Sequence, residues 1–428
     1  MKSHNAVSRT LLIAIVVIII IVIAVAAIEL MRPSKPTQSV ISKPTQSVIL
    51  IGTLYASTGS FASTSMPEYE GLLLWAKTVN ASGGIYVSSL GKKLPVRIIA
   101  YDDSSETSLA SQYYEQLITV NHVNFLVADF GSVLTAPAVS IAEKYGVLLF
   151  DVTGSSEYFF SPPSPYIVLT SIPGSPAYGS YVAPFLKSIN ATRVAILYGE
   201  NDFDAALASV IVNDLKAEGI TPIYYQGYPT STTDFSTLIT TLQSLNPQVV
   251  LEIGYPNNDI AFLNQLHSMG VHFNLTLTIF PGQLWQVMLS SVGNNMAYTY
   301  TLLFPPLVNY TVNYGPTLSQ FEQEWNATYP GTPVSYLSIA GFTAGLIIQK
   351  AIEAAGSLNA TAVRQAINSF SGKITTIDGP FMVNATNGMQ LGEVPLVGQI
   401  VPTPSGLQTV VVYPPNLATG KAIYPAPG

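Results

Sequence analysis

The chain has 428 residues, only 10% of them charged, with a net charge of −7. That length exceeds one ordinary core and calls for two lobes, and the acidic balance excludes a nucleic-acid binder, which needs basic patches. The lack of cysteine excludes disulfides, an N-terminal cysteine lipid anchor and thiolate metal ligands. Four histidines, His4, His122, His267 and His272, are too few and too scattered for a multi-histidine metal site. Neither a metal nor a cofactor is expected.

A short tail, 1–10, precedes "LLIAIVVIIIIVIAVAAI", eighteen consecutive apolar residues. That length suits a transmembrane anchor over 11–30 and exceeds a typical signal-peptide core. The alternative is a cleaved signal, because Ala24-Val25-Ala26 has the A-x-A form. Lys2 and Arg9 on one side balance Arg32 and Lys35 on the other, so charge does not set orientation. The segment 31–47 then holds a tandem repeat, "SKPTQSVI" at 34–41 and 42–49, and reads as a tether.

The body opens with the strand of "VILIGTLYASTGSFAS" (48–63), which stops in small hydroxyl residues. A helix in "EYEGLLLWAKTVNASGG" ends at Gly83-Gly84. Strands follow in "LPVRIIAYDD", "VNFLVADFGS" and "VLLFDVTGSS", with helices in "SLASQYYEQLITVNH" and "LTAPAVSIAEKYG" between them. That βαβαβαβ order predicts a mostly parallel sheet covered on both faces. The alternation restarts at "TRVAILYGEND" and runs through "LTLTIFPG", which makes a second lobe. The helix near 336–355, "YLSIAGFTAGLIIQKAIEAA", is expected to pack on a lobe rather than cross a membrane, because Gln349, Lys350 and Glu353 interrupt it. The end, "YPAPG", reads as loose.

In open α/β sheets ligands sit beyond the carboxyl ends of the strands. In the first lobe those ends carry "STGS", "FGS" (Phe130, Gly131, Ser132) and "TGSS" (Thr153 to Ser156); in the second they carry "GENDF", "IGYP" and "FPGQ". Small hydroxyls and free backbone N–H groups bind carboxylates and other acceptors. Facing them, Phe203 and Tyr255 offer an aromatic wall. A polar wall opposite an aromatic one fits a small amphipathic molecule, and "STGS" reads as part of the polar wall. Each hydroxyl competes with a helix-cap role, and each aromatic with plain packing. Asp102-Asp103, at a strand end before "SSET", reads as a cap for the next helix. Gly59 reads as a turn position with positive φ.

The stretches "IGTLYASTGSFA", "NASGGI", "RIIAYDDSSETSLA", "LVADFGSVLTAPAVSIAEKYGVLLF", "RVAILYGENDF", "TDFSTLITTLQSLNPQVVLEIGYP" and "TIDGPFMVN", from about 48 to about 390, together resemble the type I periplasmic-binding-protein superfamily, in its leucine/isoleucine/valine-binding-protein-like branch. The resemblance implies an α/β fold of two doubly wound Rossmann-like lobes with a three-crossover hinge, and crossings near 172, 304 and 385. Lobe 1 is then 48–172 plus 304–385, and lobe 2 is 173–303 plus 386–428. It implies capture of a small-molecule solute outside the membrane and delivery to the permease and ATPase subunits of an ABC importer. Carried over by position, Ser132 binds the ligand carboxylate, Thr153 contacts the ligand through its backbone, and Ser155 contacts both ammonium and carboxylate. Phe203 and Tyr255 match the aromatic positions. Where amino-acid binders place an acid for the ammonium, this chain has Gly282 and Gln283, and the other helpful acid matches Ser175. Asp202, Asp204 and Glu252 are the candidates to replace it. The solute is thus a branched-chain amino acid or a related acid, amide or small metabolite.

No G-x-S-x-G, H-E-x-x-H, G-x-G-x-x-G or Walker A pattern occurs, so an enzyme is not expected. Asn80, Asn190, Asn274, Asn309, Asn326, Asn359 and Asn384 begin N-x-S/T triplets, against about four expected by chance from this composition. The excess reads as a body outside the cytoplasm and open to glycosylation, and the sparse charge suits an acidic exterior. The competing class is a membrane-anchored surface sensor or structural protein that reuses the fold without transport. Large side chains blocking the cleft would mark it.

Overall fold

The computed structural model describes residues 9–30 and 46–427; most of the expected tether lies outside them. Helix α1 (Arg9–Leu30) has 22 residues, which at 1.5 Å per residue is about 33 Å. Its side chains from Leu12 to Val25 are apolar and exposed. The remainder, Ser47–Gly428, is a separate compact unit.

That unit is built on two sheets. The first half of its chain gives β1 (Ile49–Tyr55), α2 (Ala62–Ala81), a small hairpin of β2 (Ile85–Val87) and β3 (Lys92–Leu94), β4 (Val96–Asp102), α3 (Thr107–Thr119), β5 (Phe125–Val127), α4 (Gly131–Tyr145), β6 (Leu149–Asp151) and β7 (Ile167–Leu169). Strands β4-β1-β5-β6-β7 lie side by side in that order, all parallel. The pleat sends alternate residues to opposite faces. Phe125 and Val127 enter the core beneath α2, and Leu126 enters the core beneath α3 and α4.

The second half starts with the short α5 (Ser175–Tyr178) and α6 (Val182–Ser188). It continues through β8 (Val194–Gly199), α7 (Asp202–Ala217), β9 (Tyr224–Tyr228), α8 (Ser236–Leu245), β10 (Val249–Ile253), α9 (Pro256–Ser268), β11 (Leu275–Leu277), α10 (Trp285–Ser291) and β12 (Tyr300–Leu303). Three helices, α11 (Leu318–Thr328), α12 (Tyr336–Ala355) and α13 (Ala360–Phe370), then return to the first sheet's core. After the hairpin of β13 (Ile374–Thr376) and β14 (Gly379–Phe381), the antiparallel strands β15 (Leu396–Thr403) and β16 (Gly406–Tyr413) complete the second sheet, ordered β16-β15-β12-β11-β10-β8-β9. The chain joins that sheet at Leu396, later than residue 385. Residues before it still belong to the first: the Leu169 N–H donates to Gly388 O at 3.0 Å, and Met389 is in the core beneath α3 and α4.

Helix α12 spans the expected residues, capped by Ser335 and ended by Gly356 in the left-handed conformation. Every residue from Tyr336 to Ile348 is buried, so this apolar helix is a core helix. It meets α2 backbone to backbone: a Cβ on Gly341 would lie 1.8 Å from Glu68 O, and one on Gly71 would lie 2.2 Å from Ser338 O. The tail is tied, not loose. Ile423 O accepts from Tyr300 Oη at 2.9 Å, Ile423 N–H donates to Gln399 Oε1 at 2.8 Å, and Ala426 N–H donates to Asn274 O at 2.8 Å.

Candidate solute site

Each sheet reverses direction at its first strand. In the first, β1 has β4 on one side and β5 on the other; in the second, β8 separates β9 from β10. Such reversals open a crevice at the strands' carboxyl ends. The chain following those ends supplies Phe61, Phe130 and Ser132 from one half and Phe203 and Tyr255 from the other.

On the first wall, Ser132 is fully buried in the first turn of α4, and its Oγ accepts the Ser156 N–H at 3.1 Å. Thr153 Oγ1 accepts the Gly131 N–H at 2.9 Å and donates to Glu68 Oε2 at 2.7 Å. That hydroxyl braces the wall. Ser155 differs: its Oγ is buried and has no hydrogen-bond partner. Its carbonyl accepts from the Ser175 N–H at 2.9 Å and from Ser175 Oγ at 2.8 Å, which brings together two positions singled out in the sequence.

On the second wall, the Asn201 side chain caps α7 and fixes Phe203 in its first turn, while Tyr255 precedes Pro256 at the start of α9. Their rings are 5.7 Å apart. Tyr255 crosses to the first wall, edge-on to Phe61 at 5.2 Å and to Phe130 at 6.1 Å. Its Oη faces the backbone N–H groups of Ser132 and Val133 but completes no hydrogen bond. Tyr178 joins Phe203 to Phe304, at 5.5 and 5.3 Å. Tyr178 Oη and the Gln283 amide exchange hydrogen bonds, with the amide donating at 3.0 Å. A cavity of about 490 Å³ opens beside Gln283, among Ser63, Pro67, Trp285, Pro306 and Val334, and no lining residue is charged. Two more cavities, about 700 Å³ at Trp75 and Phe321 and about 190 Å³ at His267 and Tyr298, lie away from this seam.

The "STGS" loop is not in the wall. Ser57 to Ser60 are exposed. Ser57 bonds to Asp102, and Ser105 Oγ donates to Thr58 O at 2.7 Å, so loop 102–105 holds this loop from outside, with Gly59 at φ +83° as expected. Only the following Phe61 turns inward. Nor do the two aspartates cap α3, whose preceding residue is Glu106 with no side-chain cap. Asp103 turns inward to Asp129.

Behind both walls lie carboxyl groups without bases. Nine acids are buried among the described residues, against one base, Arg364. Burial raises Glu68 well above the usual carboxylate range, with Asp129 adding repulsion and the Thr153 hydroxyl pulling back. Asp103 and Asp129 face each other, and each has one buried oxygen without a hydrogen-bond partner. One shared proton satisfies both. Glu252 and Asp259 repeat this behind Tyr255, with Tyr228 Oη donating to Glu252. Of the three acids considered as ammonium partners, Asp202 is exposed, Glu252 is taken up in this pair, and Asp204 is buried against Asn201 with one oxygen unpartnered. Sequence reasoning passed over Glu68, although its spacing to Leu72, Trp75 and Val79 puts it on the apolar face of α2. It also passed over Phe61 and Tyr178, which no local pattern distinguishes from other aromatics.

Two α/β sheets meeting at their carboxyl ends define a two-lobed binding-protein fold. The family model described as periplasmic binding protein matches residues 48–396, and the chain belongs to that family. A Leu/Ile/Val-binding protein homolog of Brucella abortus (strain 2308) is 23% identical over 331 residues, covering 75% of this chain and 81% of that protein. A leucine-binding protein of Thermotoga maritima superposes with a TM-score of 0.72 at 18% identity, covering 85% of this chain and 97% of its own. A solute-binding protein of an ABC transporter from R. palustris, in complex with benzoate, gives 0.68 at 16%, covering 88% and 98%. These relatives are named as binding proteins, not enzymes.

Proposed function

We propose that the body lies outside the cytoplasm and captures a small amphipathic solute between its two halves, delivering it to an ABC permease. The observation that carries this reading is a pair of buried hydroxyls without partners, Ser155 Oγ on one wall and Tyr255 Oη on the other. A buried, unpaired hydroxyl costs about 1–3 kcal/mol, and a solute spanning the seam offsets both costs at once. In this reading the halves are the expected lobes, 48–172 plus 304–385 and 173–303 plus 386–428, except that residues 386–395 stay with lobe 1. They part to admit the solute, and Tyr255 withdraws from the start of α4. The amides of Ser132 and Val133 then receive an acceptor such as a carboxylate, the Thr153 backbone and Ser155 flank it, and Phe203 and Tyr255 cover the apolar part. Bridging both walls favours the closed form.

The names of the relatives point to branched-chain amino acids or aromatic acids. Gln283 stands where an amino-acid binder needs an acid, and an unpaired ammonium in a closed seam is costly. An acid or amide without an ammonium therefore fits better than leucine itself. Helix α1 serves as the membrane anchor and keeps the binder near its transporter. The second reading, a surface sensor or structural protein, draws on the aromatic rings that fill the seam.

The test is thermal unfolding of residues 47–428 with leucine, isoleucine, valine, aromatic amino acids, their deaminated acids and their amides. A solute bound only by the folded form raises the midpoint. A shift confined to acids or amides supports the reading. No shift with any of them favours the sensor.

A further inference from the structure

The seven sequon asparagines share a structural property that the sequence does not display. All seven are exposed, whereas seven of the fourteen other described asparagines are. In six of the seven the amide nitrogen is also unoccupied. Asn190, Asn274, Asn309 and Asn326 show no side-chain hydrogen bond within the described residues. Asn359 and Asn384 use only their oxygens, accepting from the N–H groups of Ala362 at 3.0 Å and Thr386 at 2.9 Å. At least seven of the fourteen other described asparagines donate Nδ2 to a protein acceptor.

Asn80 is the exception within the set. Its Nδ2 donates to Val96 O at 2.8 Å and its Oδ1 accepts the Val96 N–H at 2.8 Å. This two-way clasp holds α2 to the start of β4. Asn80 also heads the only sequon that ends in serine, as N-A-S.

We propose that the body is N-glycosylated at Asn190, Asn274, Asn309, Asn326, Asn359 and Asn384, and that Asn80 stays bare. The donor is an oligosaccharide linked to a polyprenyl phosphate or diphosphate. Asparagine Nδ2 attacks the anomeric carbon, the N–C bond forms and the C–O bond to phosphate breaks. The lipid phosphate leaves with the bonding pair, and the transferase takes one amide proton. That chemistry needs an amide free to turn toward the enzyme. At six sites, in loops or at helix ends, it is free; at Asn80 both bonds to Val96 must open first. Sugars would also hydrate a surface of few charges. The inference rests on the body lying outside the cytoplasm, as proposed above.

The experiment takes the full chain from membranes of the cells that make it, digests it and measures peptide masses by tandem mass spectrometry. The expected result is hexose-type mass additions on the six peptides, with the Asn80 peptide mostly unmodified. A T361A variant keeps the Asn359 cap of α13 and loses one glycan mass. Six bare peptides overturn the proposal; if the same protein still binds solute, the solute reading stands without it. An Asn80 occupied as fully as the others overturns the role given to the Val96 clasp.

Discussion

Raising the pH from about 3.5 to about 7.5 will destabilise the body by several kcal/mol, the reverse of proteins held by ion pairs. The only salt bridges among the described residues, Lys144 with Glu115 and Lys187 with Glu218, are largely at the surface and add little. The buried acids dominate. Burial pushes Asp378 from 3.8 up to about 7, with the Ser171 hydroxyl pulling back. It pushes Asp151 from 3.8 up to about 8, against donors at Gly154 and Thr135. Between those limits the folded form holds protons that the unfolded chain has released. This stability is complete below about pH 3.8 and is lost as the pH rises through about 7 to 8. Three pH units at about 1.4 kcal/mol each give roughly 4 kcal/mol for Asp378 alone, against a typical total of about 5–15 kcal/mol. Urea unfolding of residues 47–428 at several pH values measures it. The midpoint falls steadily toward neutral pH, and D378N, which keeps an acceptor for Ser171, falls less. A midpoint that is flat or rises between about pH 4 and 7.5 would refute the assignment of these carboxyls as buried, neutral groups.

Three further outcomes follow from the same contacts. S155A leaves the unfolding midpoint unchanged or slightly raised, because its hydroxyl bonds to nothing in the fold, yet weakens solute binding about tenfold, the worth of one hydrogen bond of roughly 1.4 kcal/mol; titration calorimetry separates the two effects. G341A places a methyl against the Glu68 carbonyl, forces α2 and α12 apart and costs about 3 kcal/mol or more in urea unfolding. Q283E puts an acid at the position proposed above for an ammonium partner, still within reach of Tyr178 Oη, and raises the thermal shift with leucine relative to that with its deaminated acid.

Elements with strong local signals were legible in the sequence. Helix α12 was, because Ser335 and Gly356 bracket a long apolar run, and so were β1, β4, β8 and β10, because each is rich in β-branched residues and followed by turn residues; β7 and β12, of three and four residues, were not. Features decided by distant partners were not. The "STGS" loop looks like a binding loop until Asp102 and Ser105 are seen to hold it from outside. The Asp102-Asp103 pair looks like a cap until Asp129, far along the chain, meets Asp103. Gly71 and Gly341 look like ordinary helix glycines, because only the α2–α12 crossing requires them. At the site, Ser132, Ser155, Phe203 and Tyr255 were placed by their positions after strands, while Phe61 and Tyr178 enter only through the meeting of the two halves.

The measurement that bears most directly on the account is titration calorimetry of residues 47–428 with branched-chain and aromatic acids, their amides and the parent amino acids at about pH 4, where the carboxyls behind the walls are protonated. The account predicts saturable one-to-one binding of a molecule without an ammonium, lost or weakened about tenfold in S155A. Binding that S155A leaves untouched, or no binding by any of these molecules, would contradict it.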